Sequence, residues 1–187
     1  MKYMRLEDIS YIIQKGKAIT PKDKGNIYAI GFTNIENGQI CFDKVKRCVL
    51  PNEYMDLKIY NLEVGDIILP PITRTNLVVK QLEKLEDFSN MIYSSRGVCV
   101  RINANLYNPK FLTRLLSNER YKQKLLNEAY TSGSYTDTFQ ISIDRLQKFK
   151  VPNISLEEQK QILEKEEKII TQIDKLQKEL SALYNEL

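Results

Sequence analysis

The sequence predicts an α+β protein in two parts. Residues 1–152 form a globular domain with a twisted, mostly antiparallel sheet and flanking helices, and residues 153–187 form a long C-terminal coiled-coil helix. Three observations predict this. Short β-type runs separated by turn residues occupy much of the N-terminal half. A capped amphipathic helix pattern follows Asn108-Pro109. From Ser155 onward apolar residues recur every seven positions, with neither Gly nor Pro to interrupt them.

Taken in order, Leu6, Ile9, Ile12 and Ile13 have the spacing of a short amphipathic helix over Leu6–Gln14, stopped by Gly16 and followed by a loop through Pro21. Strands are predicted over Ile27–Phe32, Gln39–Phe42, Asp66–Leu69, Leu77–Leu82 and Val98–Ile102. Turns fall at Asn37-Gly38, Val64-Gly65-Asp66, Pro70-Pro71 and Arg96-Gly97. Their irregular spacing suits a twisted, largely antiparallel sheet or partial barrel. Asn108 is a helix cap with Pro109 at the first helical position. Its apolar face is Phe111, Leu112, Leu115 and Leu116, then Leu125 and Leu126 after a basic stretch, and it ends near Thr131-Ser132-Gly133-Ser134. A shorter element over Ile141–Phe149 carries Ile143, Leu146 and Phe149 on one side.

Ser155-Leu156-Glu157-Glu158 is a capping box, in which hydroxyl and carboxylate satisfy free amides at a helix start. Beyond it Ile162, Ile169, Leu176 and Leu183 recur at one heptad position, and Ile173, Leu180 and Leu187 follow four residues after the last three of these. Gln159 and Glu166 are polar exceptions on the same seam. Roughly 30 residues at 1.5 Å each make a helix of about 45 Å, too long to be covered by one small domain. A pairing surface at Ile162, Ile169, Ile173, Leu176, Leu180 and Leu183 is therefore expected, against the plainer reading of one amphipathic helix lying on the domain. The seam runs to the last residue, so the chain is also compatible with being a piece of something longer.

Composition narrows the function. With 42% hydrophobic and 28% charged residues the chain reads as a folded, soluble protein. No apolar run approaches the roughly 20 residues of a membrane span, and the N-terminal residues lack the apolar core of a signal peptide. Cys41, Cys48 and Cys99 are odd in number and lack CxxC spacing, which points to reduced thiols in the cytoplasm. Histidine is absent, so Ser-His-Asp triads, His-metal nucleases and HExxH zinc sites are excluded. The net charge of +4 divides unevenly. Residues 1–151 hold 23 basic and 16 acidic side chains, and the remainder 5 lysines against 8 acids. A basic domain on an acidic helix suits a polyanion partner for the first and a protein partner for the second.

Three catalytic motifs were weighed. Asn108-Pro109-Lys110-Phe111 departs from the amino-methyltransferase motif by its lysine, and no glycine-rich cofactor loop accompanies it; it reads as a helix cap. Glu158-Gln159-Lys160 and Glu166-Glu167-Lys168 have the ExK spacing of metal-dependent nucleases but lie in the acidic helix, where that chemistry has no second carboxylate on a strand. Asp66 after Gly65 reads as a turn entering a buried strand rather than a metal ligand. No metal or cofactor is expected on the chain. What remains is a set of polar loops: Lys15, Lys17, Lys22 and Lys24; Thr73-Arg74-Thr75-Asn76; Ser94-Ser95-Arg96-Gly97; and Ser132-Gly133-Ser134-Tyr135-Thr136. Arg and Asn suit base edges, and Lys, Ser, Thr and backbone amides suit phosphates.

In order, these segments resemble the specificity subunits of type I restriction–modification systems. The resemblance runs from Leu6-Glu7-Asp8-Ile9 with Gly16-Lys17, through Ile35-Glu36-Asn37-Gly38-Gln39-Ile40 and Val64-Gly65-Asp66-Ile67-Ile68-Leu69, to Tyr107-Asn108-Pro109 with Phe111-Leu112 and Leu115-Leu116-Ser117. It continues through Ser132-Gly133-Ser134, Ile141-Ser142-Ile143-Asp144-Arg145-Leu146 and Val151-Pro152 into Ser155-Leu156-Glu157-Glu158-Gln159 and Ile162. Members of that family carry two target-recognition domains and two conserved helices; this chain has one of each. The resemblance implies a non-catalytic subunit that selects a bipartite site on double-stranded DNA, and a homodimer through the C-terminal helix. It also implies modification subunits that bind the helices and supply S-adenosylmethionine and catalysis, with a restriction subunit joining through them. Candidate DNA contacts are Lys17, Thr73, Arg74, Asn76, Arg96, Ser134, Tyr135 and Thr136, on loop placement and donor chemistry. Two alternatives stay open: the recognition subunit of another bipartite-target methyltransferase–nuclease system, and a coiled-coil adaptor without DNA binding.

Overall fold

Fourteen short strands of two to six residues are spread through the described residues of the N-terminal part. In the computed structural model, which describes residues 2–18, 25–49, 60–74, 76–85, 91–132 and 138–185, the chain divides into two units, Met1–Asn153 and Ile154–Leu187.

The first strands are β1 (Tyr3–Arg5), β2 (Ser10–Lys15), β3 (Ile27–Ile30), β4 (Ile35–Glu36), β5 (Gln39–Ile40) and β6 (Lys46–Cys48). Then come β7 (Ile67–Leu69), β8 (Ile72–Thr73), β9 (Lys80–Gln81), β10 (Met91–Tyr93) and β11 (Val98–Ile102). Helices α1 (Pro109–Ser117) and α2 (Glu119–Ala129) lead to β12 (Tyr130–Ser132), β13 (Phe139–Ile141), α3 (Ile143–Gln147) and β14 (Lys150–Pro152). The second unit is α4 (Leu156–Asn185).

A four-stranded antiparallel sheet in the order β2-β11-β7-β9 lies at the centre. Its middle strands are apolar on both faces: Ile67, Ile68, Leu69, Val98, Cys99 and Val100 are all buried. Smaller sheets adjoin it in the orders β10-β3-β6, β12-β13-β8, β1-β14 and β4-β5. Pairing is antiparallel throughout the described strands except between β3 and β10. The α+β class and the mostly antiparallel pairing are as the sequence predicts, but the strands divide among five small sheets.

The predicted strand over Leu77–Leu82 is reduced to Lys80–Gln81, the strand from Gln39 ends at Ile40 before a 3-10 turn at Phe42–Lys44, and two predicted helices differ from expectation. Leu6–Gln14 is not a helix: a single 3-10 turn at Glu7–Ile9 passes into β2. The spacing of Leu6 and Ile9 fits one such turn, which buries both, whereas β-branched Ile12 and Ile13 pair with Arg101 and Val100 of β11. The helix after Pro109 breaks at Asn118, whose backbone is extended and whose side chain accepts a hydrogen bond from the Arg120 amide at 3.1 Å. Asn competes with helical hydrogen bonding and caps a new helix instead. Asn108 caps α1 as expected, accepting from the amides of Lys110 (2.9 Å) and Phe111 (3.2 Å).

At the start of α4 the Ser155 amide and hydroxyl each donate to the Glu158 carboxylate at 2.9 Å, and the Glu158 amide donates back to Ser155 Oγ at 3.2 Å. These donors hold the Glu158 carboxyl below its ordinary value. Lys160–Glu164 and Lys175–Glu179 form i,i+4 ion pairs along the helix.

Candidate nucleic-acid interface

The register of the central sheet decides where the polar loops go. Val98 pairs with Lys15 on one side and Leu69 on the other, so the end of β2, the start of β11 and the end of β7 form one row. Lys80 pairs with Ile68, so the segment entering β9 comes from the same end. The connections carrying Lys17, Thr73, Arg74, Asn76 and Arg96 therefore all leave a single end of this sheet. Arg74, Asn76 and Arg96 are exposed, and Lys17 and Thr73 half-buried. Lys15, at the tip of β2, is exposed beside them. Ser134, Tyr135 and Thr136 lie outside the described residues, as do Lys22, Lys24, Thr75 and, on the terminal helix, Leu187. The strands that flank the first three are described: Phe139 pairs with Ser132 on one side and with Thr73 on the other.

Lys17 and Arg96 belong to segments that are tied together through the backbone. The Gly16 amide donates to Gly97 O (3.0 Å), Lys17 N to Tyr93 O (3.2 Å), Ser95 N to Lys17 O (2.8 Å) and Phe32 N to Arg96 O (3.1 Å). A Cβ on Gly16 would stand 2.2 Å from Ser94 O, so no other residue fits there. Gly16, expected from the sequence to stop a helix, is instead required by this close approach of two backbones. Thr73 and Arg74 follow a separate anchor, where Tyr130 Oη donates to Pro70 O (2.8 Å) and Ile141 N to Pro71 O (3.0 Å).

Toward the opposite end of the sheet, Asp66 is fully buried and binds Arg101 through both carboxylate oxygens, at 2.7 Å from Nε and 2.8 Å from a terminal nitrogen. Arg101 also bonds Glu63 and the carbonyl of Asn61. Burial acts to lower the Arg101 pKa, but the Asp66 hydrogen bonds and the Asp66 and Glu63 charges outweigh it and raise the value. Asp66 thus works as a structural ion-pair partner, and Gly65, at φ +97°, supplies the turn before it. Burial pushes the Cys99 thiol far above its usual range, which removes it as a nucleophile at neutral pH. Among the described residues no group of three His, Cys, Asp or Glu side chains could hold a metal ion.

The terminal unit has its own surface. Ile162, Ile169, Ile173, Leu176, Leu180 and Leu183 are 46–63% exposed, a continuous apolar stripe that water does not favour. No helix among the described residues is long and apolar enough to cross a membrane.

No protein-family model matches this sequence, and no curated protein does. Solved structures do. The HsdS subunit from Thermoanaerobacter tengcongensis superposes with a TM-score of 0.59 at 17% identity, over 94% of this chain and 43% of that one. A chain from a structure describing complex assembly and conformational transition of the type I R-M system gives 0.61 at 18% identity, over 95% and 44%. This is the HsdS fold. The chain spans less than half the length of the HsdS-type structures that it matches.

Proposed function

We propose that the chain is a DNA-recognition subunit of a type I restriction–modification system, with one target-recognition domain and one conserved helix. The observation that carries this reading is the convergence of Lys17, Thr73, Arg74, Asn76 and Arg96 at one sheet end of a domain with the HsdS fold. That domain is also the basic part of the chain, suited to a polyanion. The proposed contact set includes Ser134, Tyr135 and Thr136, since β13, which follows them in the chain, pairs with Thr73.

The chain catalyses nothing in this reading. Modification subunits dock on the helix, carry S-adenosylmethionine and transfer the methyl group, and a restriction subunit joins through them, all in the cytoplasm. Asn108, the residue nearest to a methyltransferase motif, has its side chain committed to capping α1. The exposed stripe on α4 pairs with the same stripe on a second copy as a coiled coil, which supplies the second reader and makes the target symmetric and bipartite.

The test is methyl transfer from labelled S-adenosylmethionine to duplex DNA by the modification subunit, with and without this chain. Transfer that requires the chain and one defined sequence is the expected result. Transfer equally fast on any sequence would make the chain an adaptor and reject the reading.

A further inference from the structure

The polar loops at the sheet end differ in how they are built. Lys17 and Arg96 sit on segments cross-tied by the Gly16–Gly97, Lys17–Tyr93, Ser95–Lys17 and Phe32–Arg96 backbone hydrogen bonds. Gly31 packs so closely that a Cβ there would stand 2.9 Å from Arg96 Cβ. Neither Lys15–Ala18 nor Ser94–Gly97 contains an acidic residue, a composition suited to an anionic partner. Ser94 is buried at the same junction, with its Oγ packed beside Gly31, so the two segments are held at a fixed separation. Thr73–Asn76 has a different character. It follows Pro70-Pro71, is paired at Thr73, and exposes Arg74 and Asn76. These are the side chains whose paired donors and acceptors match guanine and adenine edges.

Resting on the DNA-recognition reading, we infer that the sheet end is divided into two working parts. The interlocked junction carrying Lys17 and Arg96 holds the phosphate backbone and sets register, and Arg74 and Asn76 read bases. Phosphates repeat identically along any duplex, so their holder needs cations at fixed positions and no sequence preference. Base reading needs exposed side chains whose identity can change without disturbing that register.

The test uses the full chain in two measurements: the motif it enriches from random-sequence duplexes, and the salt dependence of its affinity for enriched and unselected duplexes. Arg96→Ala and Lys17→Ala are expected to weaken binding to both duplex sets alike. Each should lower the log–log salt slope by about one unit and leave the motif unchanged. Arg96→Lys should restore the slope, because a point charge suffices for a phosphate. Arg74→Ala or Asn76→Ala should change the motif and leave the slope close to wild type. A changed motif with an unchanged slope in Arg96→Ala would overturn the division, as would a wild-type slope and motif in both Arg96→Ala and Lys17→Ala. A wild-type chain that enriches no motif and binds without salt dependence would instead overturn the DNA-recognition reading itself.

Discussion

Arg96 and Arg101 stand on either side of the start of β11 and do opposite things. Arg101 points into the protein and is neutralised there by Asp66 and Glu63, with 13% of its side chain exposed. Arg96 is exposed at the tip, and among the described residues no carboxylate pairs with it. Asp66→Ala leaves Arg101 buried without its bidentate partner, which should cost about 3 kcal/mol or more. Arg96→Ala should change stability by less than about 0.5 kcal/mol. Urea unfolding of both variants checks this; equal midpoints would contradict the assignment of Arg101 to structure and Arg96 to the surface. Gly16 belongs to the structural class too, since its neighbours leave no room for a side chain.

At the scale of elements, α4 is the part most legible in the sequence. Capping, heptad period and helix length are all local properties, and Ser155–Glu158 forms the expected reciprocal cap. The exposed stripe leads to a prediction: Ile173→Glu or Leu180→Glu should turn a dimer into monomer. Each change enters twice in a symmetric pair and costs about 3 kcal/mol or more, roughly 100-fold or more in affinity. Light scattering reads this directly, and an undiminished dimer would remove the stripe from the interface. The sheet was less legible. Only β3, β5, β7, β9 and β11 of the described strands could be located from β-branched runs and turns, and none of their partners. The parallel pairing of β3 with β10 links segments about sixty residues apart by their register, Tyr28 with Met91. Leu6–Gln14 departs from its helical spacing for the same reason: Ile12 and Ile13 are strand residues because β11 pairs with them. The meeting of Lys17, Thr73, Arg74, Asn76 and Arg96 at one sheet end, together with the place of Lys15, depends on the row formed by Lys15, Val98 and Leu69, which local sequence does not encode.

Across the whole molecule, charge and surface divide between the two units. Basic residues prevail 23 to 16 over residues 1–151, and acids prevail 8 to 5 beyond, where the apolar stripe is exposed. A basic domain and an acidic helix with an exposed apolar stripe suit the proposed subunit, in which the first would meet DNA and the second protein. The HsdS-type structures that the chain matches are more than twice as long, and a second copy of the chain would supply a second reader. Two identical readers on one twofold axis must see the same sequence on opposite strands. The most direct measurement maps every methylated position in DNA from cells making this chain with its modification subunit. The account predicts one bipartite motif whose halves are inverted repeats across a fixed spacer. Methylation with no sequence preference, or none that depends on this chain, would contradict it.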